Sequence, residues 1–572
     1  MAAIEAIKQR KYLAHDLVLN QVSDLDVYYN ELFDRKINSV NEFEKWLFDR
    51  SELEAFVLED AAWRYIKMTI NTLDENASKR YEDFVTLFEP IVSEYSNKLN
   101  QKADVTQKSF PLKSAQYDLF FRNLSNELSL FRQENIALNI EVNKETQRFS
   151  SIAGALQINY NDKTYTLPQA SVFLKNNDRE VRKTVFELIS KSRFEKIGEL
   201  NNLFDNLVAL RHKIATNAGF ENFRDFKFKE LCRLDYNVND CYELHKSIEE
   251  CIVPLVKEFN TERKRLLNLD SLRPWDLEAE IYGSTPLKPF TNGDDLSQKT
   301  IRVFEKLDPY FSNCIKTMGE MGHFDLESKK GKAPGGYNYP LYESGVPFIF
   351  MNAVGTQRDM VTMLHEGGHA VHSFLSNHLS LTAFKSLPSE IAELASMTME
   401  LITMDYWNEF YANETDCIRA KKEQLEKIIS ILPWIAIVDK FQHTVYENPV
   451  HTHEQRNKWW QEISDRFSSK TVDYTGIEWI KEDGWQKQLH IFEVPFYYIE
   501  YAIAQLGAIA MWRNFKTNPK QTIEQYKTAL ALGSSVSIPD VYKAAGIKFD
   551  MSPQYVAELA NFVKTEYHKL NV

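Results

Sequence analysis

The sequence predicts a mainly α protein with a small β-sheet placed beside its chemistry. Three observations lead there. Apolar residues recur at spacings of three and four over much of the chain, and the pentad His365-Glu366-Gly367-Gly368-His369 lies inside one such stretch. Just upstream of it, glycines, prolines and β-forming residues cluster between 335 and 351.

From Asp24 to about Gln147 the period is helical: Tyr28, Leu32 and Phe33, then Phe43, Trp46 and Leu47, then Tyr65, Met68 and Thr69, then Phe84, Leu87 and Phe88. The breaks at Asn38-Ser39 and Asp74-Glu75-Asn76 read as turns between antiparallel helices of a bundle or of long hairpins. Between Leu156 and Leu167 the period shortens, and Asn161-Asp162 between Ile158, Tyr160 and Tyr165 predicts a short β-hairpin. Helices resume after Pro168 and run from Arg179 to Asn268. The passage Arg273-Pro274-Trp275-Asp276 then opens a loop through Pro289. A second sheet is expected from Gly335-Gly336-Tyr337-Asn338-Tyr339-Pro340 and Val346-Pro347-Phe348-Ile349-Phe350-Met351. This organisation divides into an N-terminal helical domain, 1–180, and a catalytic domain, 181–572.

With 572 residues and 44% hydrophobic content, the chain can bury a large core. Its net charge of −13 argues against a nucleic-acid or anionic-membrane partner, because both need a cationic field. Cys232, Cys241, Cys251, Cys314 and Cys417 show no C-x-x-C spacing, which fits thiols in a reducing compartment. The start, Met1 to Asp16, mixes Lys8, Arg10 and Lys11 with Glu5 and lacks the apolar core of a secretory leader. The most apolar run, Tyr497 to Trp512, is interrupted by Glu500 and Gln505 and is shorter than the ~20 residues that span a bilayer. A cytoplasmic protein without a membrane anchor is the expectation.

On a helix, His365 and His369 stand one turn apart, so both imidazoles reach one ion at ~2.0–2.1 Å. Glu366 flanks that ion, where it can act as general base toward a water whose pKa zinc has lowered. A chance H-E-x-x-H is expected roughly 0.02 times in a chain of this size. Coincidence therefore accounts poorly for the pentad. Two glycines inside it cost about 2 kcal/mol of helix propensity, which close approach of another backbone or of substrate would explain.

The third ligand lies downstream. Gly seven and His ten residues after the first His would mark a metzincin, but His372 and Leu375 occupy those positions. Pro388-Ser389-Glu390 reads as a helix start with Ser389 as N-cap, and Glu390 in the first turn is explained by the helix dipole. Glu393 lies mid-helix among Ile391, Ala392, Leu394 and Ala395, where an unpaired carboxylate is costly to bury and a metal would resolve the cost. Glu393 is thus the expected ligand, and Glu400 the expected acceptor for one ligand imidazole. His372 and His378 read as packing or surface residues. One zinc per chain is expected, although these N/O ligands also accept cobalt or manganese.

The combination of His-Glu-Gly-Gly-His-Ala with Glu-Leu-Ala-Ser-Met-Thr-Met-Glu at 393–400 closely resembles the thimet oligopeptidase family, in particular its oligoendopeptidase F and Pz-peptidase-like branch. Phe223-Arg224-Asp225-Phe226, Arg233-Leu234-Asp235-Tyr236, Arg273-Pro274-Trp275-Asp276-Leu277 and the segment His490 to Tyr501 agree with it. The resemblance implies a two-lobed helical zincin-type metallopeptidase with a deep channel that admits oligopeptides and excludes folded proteins. It also implies Glu393 as third ligand, and a tyrosine-rich segment that hydrogen-bonds oxyanion and substrate. Here that segment offers Tyr498, Tyr501 and His490, in that order, for the oxyanion, with Tyr497 beside the substrate. Pro495 is expected to open the helix that carries the tyrosines. Without the resemblance, an aromatic stripe in a helix interface explains them as well. Gly335 and Gly336, with Tyr337, would let a peptide backbone approach an edge strand; an ordinary hairpin turn would account for them equally. Where relatives often carry Cys after Gly-Gly-Tyr, this chain has Asn338.

The resulting expectation is a zinc endopeptidase of short oligopeptides. A zinc carboxypeptidase or dipeptidase is the enzymatic alternative, and a peptide-binding protein with structural zinc the non-enzymatic one. Glu366 separates the last from the others, since structural zinc needs no base beside its ligands. Monomer and homo-oligomer are both open.

Overall fold

A computed structural model describes residues 10–282 and 286–570. The charged start, Met1 to Asp16, therefore falls partly outside the described residues. As expected, the chain is mainly helical with small sheets only. No helix among the described residues is long and apolar enough to cross a membrane.

The N-terminal helices part near the expected breaks, although Glu75 and Asn76 already lie in the helix that Asp74 caps. Ser39 caps Val40–Ile70 by accepting from the Glu42 amide, and Asp74 caps Glu75–Asp83 by accepting from Asn76 and Ala77. Leu32, Phe43, Trp46 and Leu47 enter one core, and the Trp46 indole donates to the Leu32 carbonyl at 2.8 Å. The first helix, Ser23–Asp34, is rotated from the expected face: Leu25, Tyr29 and Leu32 are buried, whereas Phe33 is exposed. Both stripes have helical spacing, and only the packing partner selects between them. Phe84 and Phe88 stack within a π-helical turn.

The hairpin forms as expected. Strand β1 (Gln157–Tyr160) pairs antiparallel with β2 (Lys163–Thr166), and Asn161 and Asp162 both take positive φ, the geometry of a tight two-residue turn. The second sheet has the order β3-β5-β4, from Phe324–Glu327, Phe348–Ala353 and Tyr337–Tyr339. Strand β4 pairs antiparallel with β5, while β3 lies parallel to β5 on its other side. The third strand has no marker in the sequence, since Phe-Asp-Leu-Glu is short and charged.

Contacts group the chain into two compact units, each threaded by three segments. One holds the residues up to Leu128, Leu287–Cys417 and Gly507–Phe549; the other holds Ser129–Pro286, Ile418–Leu506 and the residues from Asp550 on. In the first, the N-terminal helices from Ser23 on and the β3-β5-β4 sheet accompany the helices Gln357–Ser376 and Ser389–Ile402. In the second, the buried Asp276 carboxylate of the Pro-rich passage is held by Arg179 and Arg182, each at 2.8 Å.

Candidate active site

The helix Gln357–Ser376 starts with a capping box, in which Thr356 accepts from the Asp359 amide and Asp359 accepts from the Thr356 amide. Met360, Met363, Leu364 and Val371 anchor its apolar face. That anchoring leaves His365 and His369 on a partly exposed face, with ring centroids 4.8 Å apart.

The helix Ser389–Ile402 packs against it at very short range. A Cβ added at Gly368 would stand 2.7 Å from the Ser396 Cα and 2.9 Å from the Ala395 carbonyl, and one at Gly367 would stand 2.7 Å from the Phe304 ring. The two glycines thus permit a backbone approach that brings Glu393 under both imidazoles. The start of this helix differs from the sequence reading. Pro388 is the extended N-cap and Ser389 is already helical, with no side-chain cap hydrogen bond.

Glu393 Oε2 lies 3.3 Å from His365 Nε2 and 3.8 Å from His369 Nε2, and accepts from Ser396 Oγ at 3.0 Å. One ligand atom from each of His365, His369 and Glu393 falls within 4.8 Å of the others. Tetrahedral zinc with bonds of ~2.0–2.1 Å spaces its ligand atoms by roughly 3.4 Å. The donor set, two imidazoles and one carboxylate, fits that ion.

Glu400 Oε1 stands 2.7 Å from His365 Nδ1. An ionised carboxylate can only accept, so Nδ1 carries a proton and Nε2, which faces Glu393, is the nitrogen left to an ion once its own proton is displaced. Electrostatics agree with a site built for positive charge. Burial disfavours a charged His365, but hydrogen bonds to Glu393 and Glu400 outweigh it and hold its pKa well above the ordinary value. Burial likewise opposes ionisation of Glu393, yet the hydrogen bond and charge of His365 and the charge of His369 bring its pKa down to about 2. His369 is lowered to about 4, chiefly by burial.

Glu366 is 6% exposed, and burial pushes its carboxyl up to about 7. Its own carbonyl accepts from Asn338 Nδ2 at 3.4 Å, which ties the pentad to β4. His372 is buried and kept neutral by burial, with a pKa near 3, as befits a packing residue.

Strand β4 has a hydrogen-bonded neighbour on one side only among the described strands. Gly335 precedes it at φ +100° with its carbonyl accepting from Asn352, and a Cβ added at Gly336 would stand 3.4 Å from the Phe350 carbonyl, an ordinary contact. Tyr337 stacks on Phe350 and its hydroxyl meets Thr69 at 2.6 Å.

The tyrosine segment belongs to the second unit. Pro495 does not open a helix: Phe496 takes φ +66°, and the helix begins at Tyr498. Arg233 donates to the Phe496 carbonyl and pairs with Glu500 at 2.6 Å, which fixes this turn. His490 lies 4.6 Å from Tyr498 and 5.9 Å from Tyr501, ring to ring, while Tyr497 and Tyr501 are 5.3 Å apart. Trp434 Nε1 donates to Gln488 Oε1 at 2.8 Å, and Gln488 Nε2 reaches His490 Nδ1 at 2.6 Å. An indole N–H can only donate, so the amide orientation is set and His490 carries its proton on Nε2. Burial lowers His490 to about 4 and raises Tyr498 to about 12, so both are neutral donors at pH 7. The sequence reading missed Ser396, Gln488 and Trp434. Ser396 was findable at three residues from Glu393; the other two carry no periodic or motif signal.

Known proteins share both the sequence pattern and the fold. The model of Peptidase family M3 matches residues 172–561, and that of the Peptidase M3 N-terminal domain matches residues 20–131. An oligoendopeptidase F homolog of Borreliella burgdorferi is 24% identical over 405 residues, 67% of this chain and 63% of its own length. Oligopeptidase PepF of Bacillus subtilis is 23% identical over 68% of this chain and 57% of its own. The match thus spans less than two thirds of these two relatives. Among solved structures, Pz peptidase A with an inhibitor superimposes with a TM-score of 0.88 at 26% identity, covering 96% of this chain and 98% of that one. Oligoendopeptidase F from Enterococcus faecium shares the fold, with a TM-score of 0.64 at 15% identity over 96% and 97% of the two chains.

Proposed function

The chain belongs to peptidase family M3, and on that footing we propose that it is a zinc-dependent endopeptidase that hydrolyses internal bonds of short peptides. One observation carries the reading. Glu366, buried and raised to about 7, adjoins His365, which together with His369 and Glu393 forms a donor set of zinc type. A purely structural zinc site has no use for such a base.

His365, His369 and Glu393 hold the ion, with Glu400 orienting His365. Bound zinc supplies Lewis acidity, which polarises a carbonyl and lowers the pKa of a water to about 7. Glu366 takes the proton of the attacking water and passes it to the leaving amine. Tyr498, Tyr501 and His490 are the proposed hydrogen-bond donors to the oxyanion; the neutral Nε2–H of His490 suits that role. Gly335, Gly336 and Tyr337 present the free side of β4 to the substrate backbone, and Tyr497 contacts the peptide. The names of the relatives, oligoendopeptidase F and oligopeptidase PepF, support short peptides as substrates. Five cysteines without a disulfide support a reducing compartment such as the cytoplasm. The start of the family match at 172 supports a boundary near residue 180 between the N-terminal and catalytic parts.

Quenched fluorescent peptides of graded length, blocked at both ends, test the reading. Internal cleavage confined to the shorter peptides is expected. Release of terminal residues from unblocked peptides alone would point to an exopeptidase, and binding without turnover to a peptide-binding protein.

A further inference from the structure

The second unit contains another buried group of metal-binding side chains. Cys241 and His245 lie one turn apart on the helix Val238–Ser247, and Asp439 and His443 lie one turn apart on the helix Glu414–Glu447. All four are at most 2% exposed. One ligand atom from each of Cys241, Asp439 and His443 falls within 4.8 Å of the other two. Asp439 Oδ2 lies 2.9 Å from His245 Nε2 and 3.1 Å from His443 Nε2.

The protein alone leaves this group incompletely satisfied. Asp439 Oδ1, His245 Nδ1 and His443 Nδ1 are buried without a hydrogen-bond partner. Aromatic rings enclose them: Phe228, Tyr242 and Phe496 pack on His443, and Phe467 on His245. A carboxylate in such surroundings is costly without a positive partner, which a protonated imidazole supplies in part and a metal ion would supply in full. We propose that Cys241, Asp439 and His443 form a second metal site suited to zinc, its fourth position completed by a water, with His245 donating to Asp439 to orient it.

The charges support the choice. A thiolate, a carboxylate and a neutral imidazole around a divalent ion sum to zero, the favourable total for a buried apolar pocket. Ion binding releases the Cys241 thiol proton to solvent, and a small opening of the side chains brings the donors from hydrogen-bond spacing to tetrahedral spacing, roughly 3.4–3.7 Å between ligand atoms. Softness argues for zinc over magnesium or calcium, which avoid thiolate. Two helices are cross-linked by the three ligands, so the ion would add to the stability of this unit.

The test separates this site from the one at His365. The His365→Ala/His369→Ala double variant is equilibrated with zinc, freed of excess by a chelating resin, and its metal measured by mass spectrometry. About one equivalent should remain, and adding Cys241→Ser should reduce it by about tenfold or more. In parallel, wild type loaded with cobalt(II) should show thiolate-to-cobalt charge-transfer absorption that Cys241→Ser removes. The His365 site has no thiolate, so this signal reads the second site even if the double variant does not fold. Loss of all zinc in a folded double variant, or cobalt-loaded wild type with no charge-transfer band, overturns the proposal and leaves the group as a hydrogen-bonded Asp–His pair.

Discussion

Gly368 lies so close to Ser396 that a single added methyl would sit 2.7 Å from the Ser396 Cα. This contact sets the spacing of the two helices that carry the proposed ligands, and with it the distance from Glu393 to both imidazoles.

Gly368→Ala should therefore be harmful although alanine is the better helix former by about 1 kcal/mol. The backbone of the facing helix cannot yield cheaply, so overpacking should cost about 1–3 kcal/mol of stability. Zinc affinity should fall as well, because the ligands are spread. Thermal unfolding and zinc titration of the variant read the two effects separately.

Glu400→Gln should weaken zinc binding by about 10–100-fold while leaving the ligands in place. The amide can still accept from His365 Nδ1, but it lacks the charge that raises the basicity of the ring. Competition against a chelator of known affinity measures the change; an unaltered affinity would remove Glu400 from the site.

These two positions show what was legible beforehand. The grouping of the three proposed ligands was readable: imidazoles at i and i+4 share a helix face, and a mid-helix carboxylate is costly to bury without a partner. The glycines announced a close approach, but not to which partner, since Phe304 and Ser396 lie far from them in sequence or on another helix. Most helix limits followed from caps such as Ser39 and Asp74. Strand β3, the start at Tyr498 and the buried face of Ser23–Asp34 did not, because each is decided by a tertiary neighbour. Trp434 and Gln488 illustrate the same limit, for their value lies in one chain of hydrogen bonds.

Gln488→Leu should disturb catalysis without touching zinc. It removes the donor that keeps the His490 proton on Nε2, so kcat should fall roughly 10-fold or more if that N–H faces developing charge. Unchanged kcat with normal metal content would restrict His490 to packing.

Stability should report the second unit through Asp276. Burial alone would raise its carboxyl, but hydrogen bonds from Arg179 and Arg182 outweigh this and hold it below the ordinary 3.8. A depressed folded pKa gives stability that is present above pH 3.8 and is lost as pH falls through the folded value. Asp276→Asn should thus cost roughly 3 kcal/mol at pH 7, from two guanidinium groups left without their carboxylate. The difference from wild type should shrink below pH 3.8. Urea unfolding at several pH values checks both parts.

The proposed chemistry rests most on Glu366, which must be ionised to accept a proton. Burial places it near 7 and a cation beside it lowers that value, so activity should fall on the acid side with an apparent pKa at or below about 7. The most direct measurement is hydrolysis of a short blocked peptide by wild type and Glu366→Gln, with bound zinc quantified in both. A general base at this position predicts unchanged zinc and a loss of about 10²–10⁴-fold in kcat/KM. Zinc-loaded Glu366→Gln turning over at the wild-type rate would contradict that role.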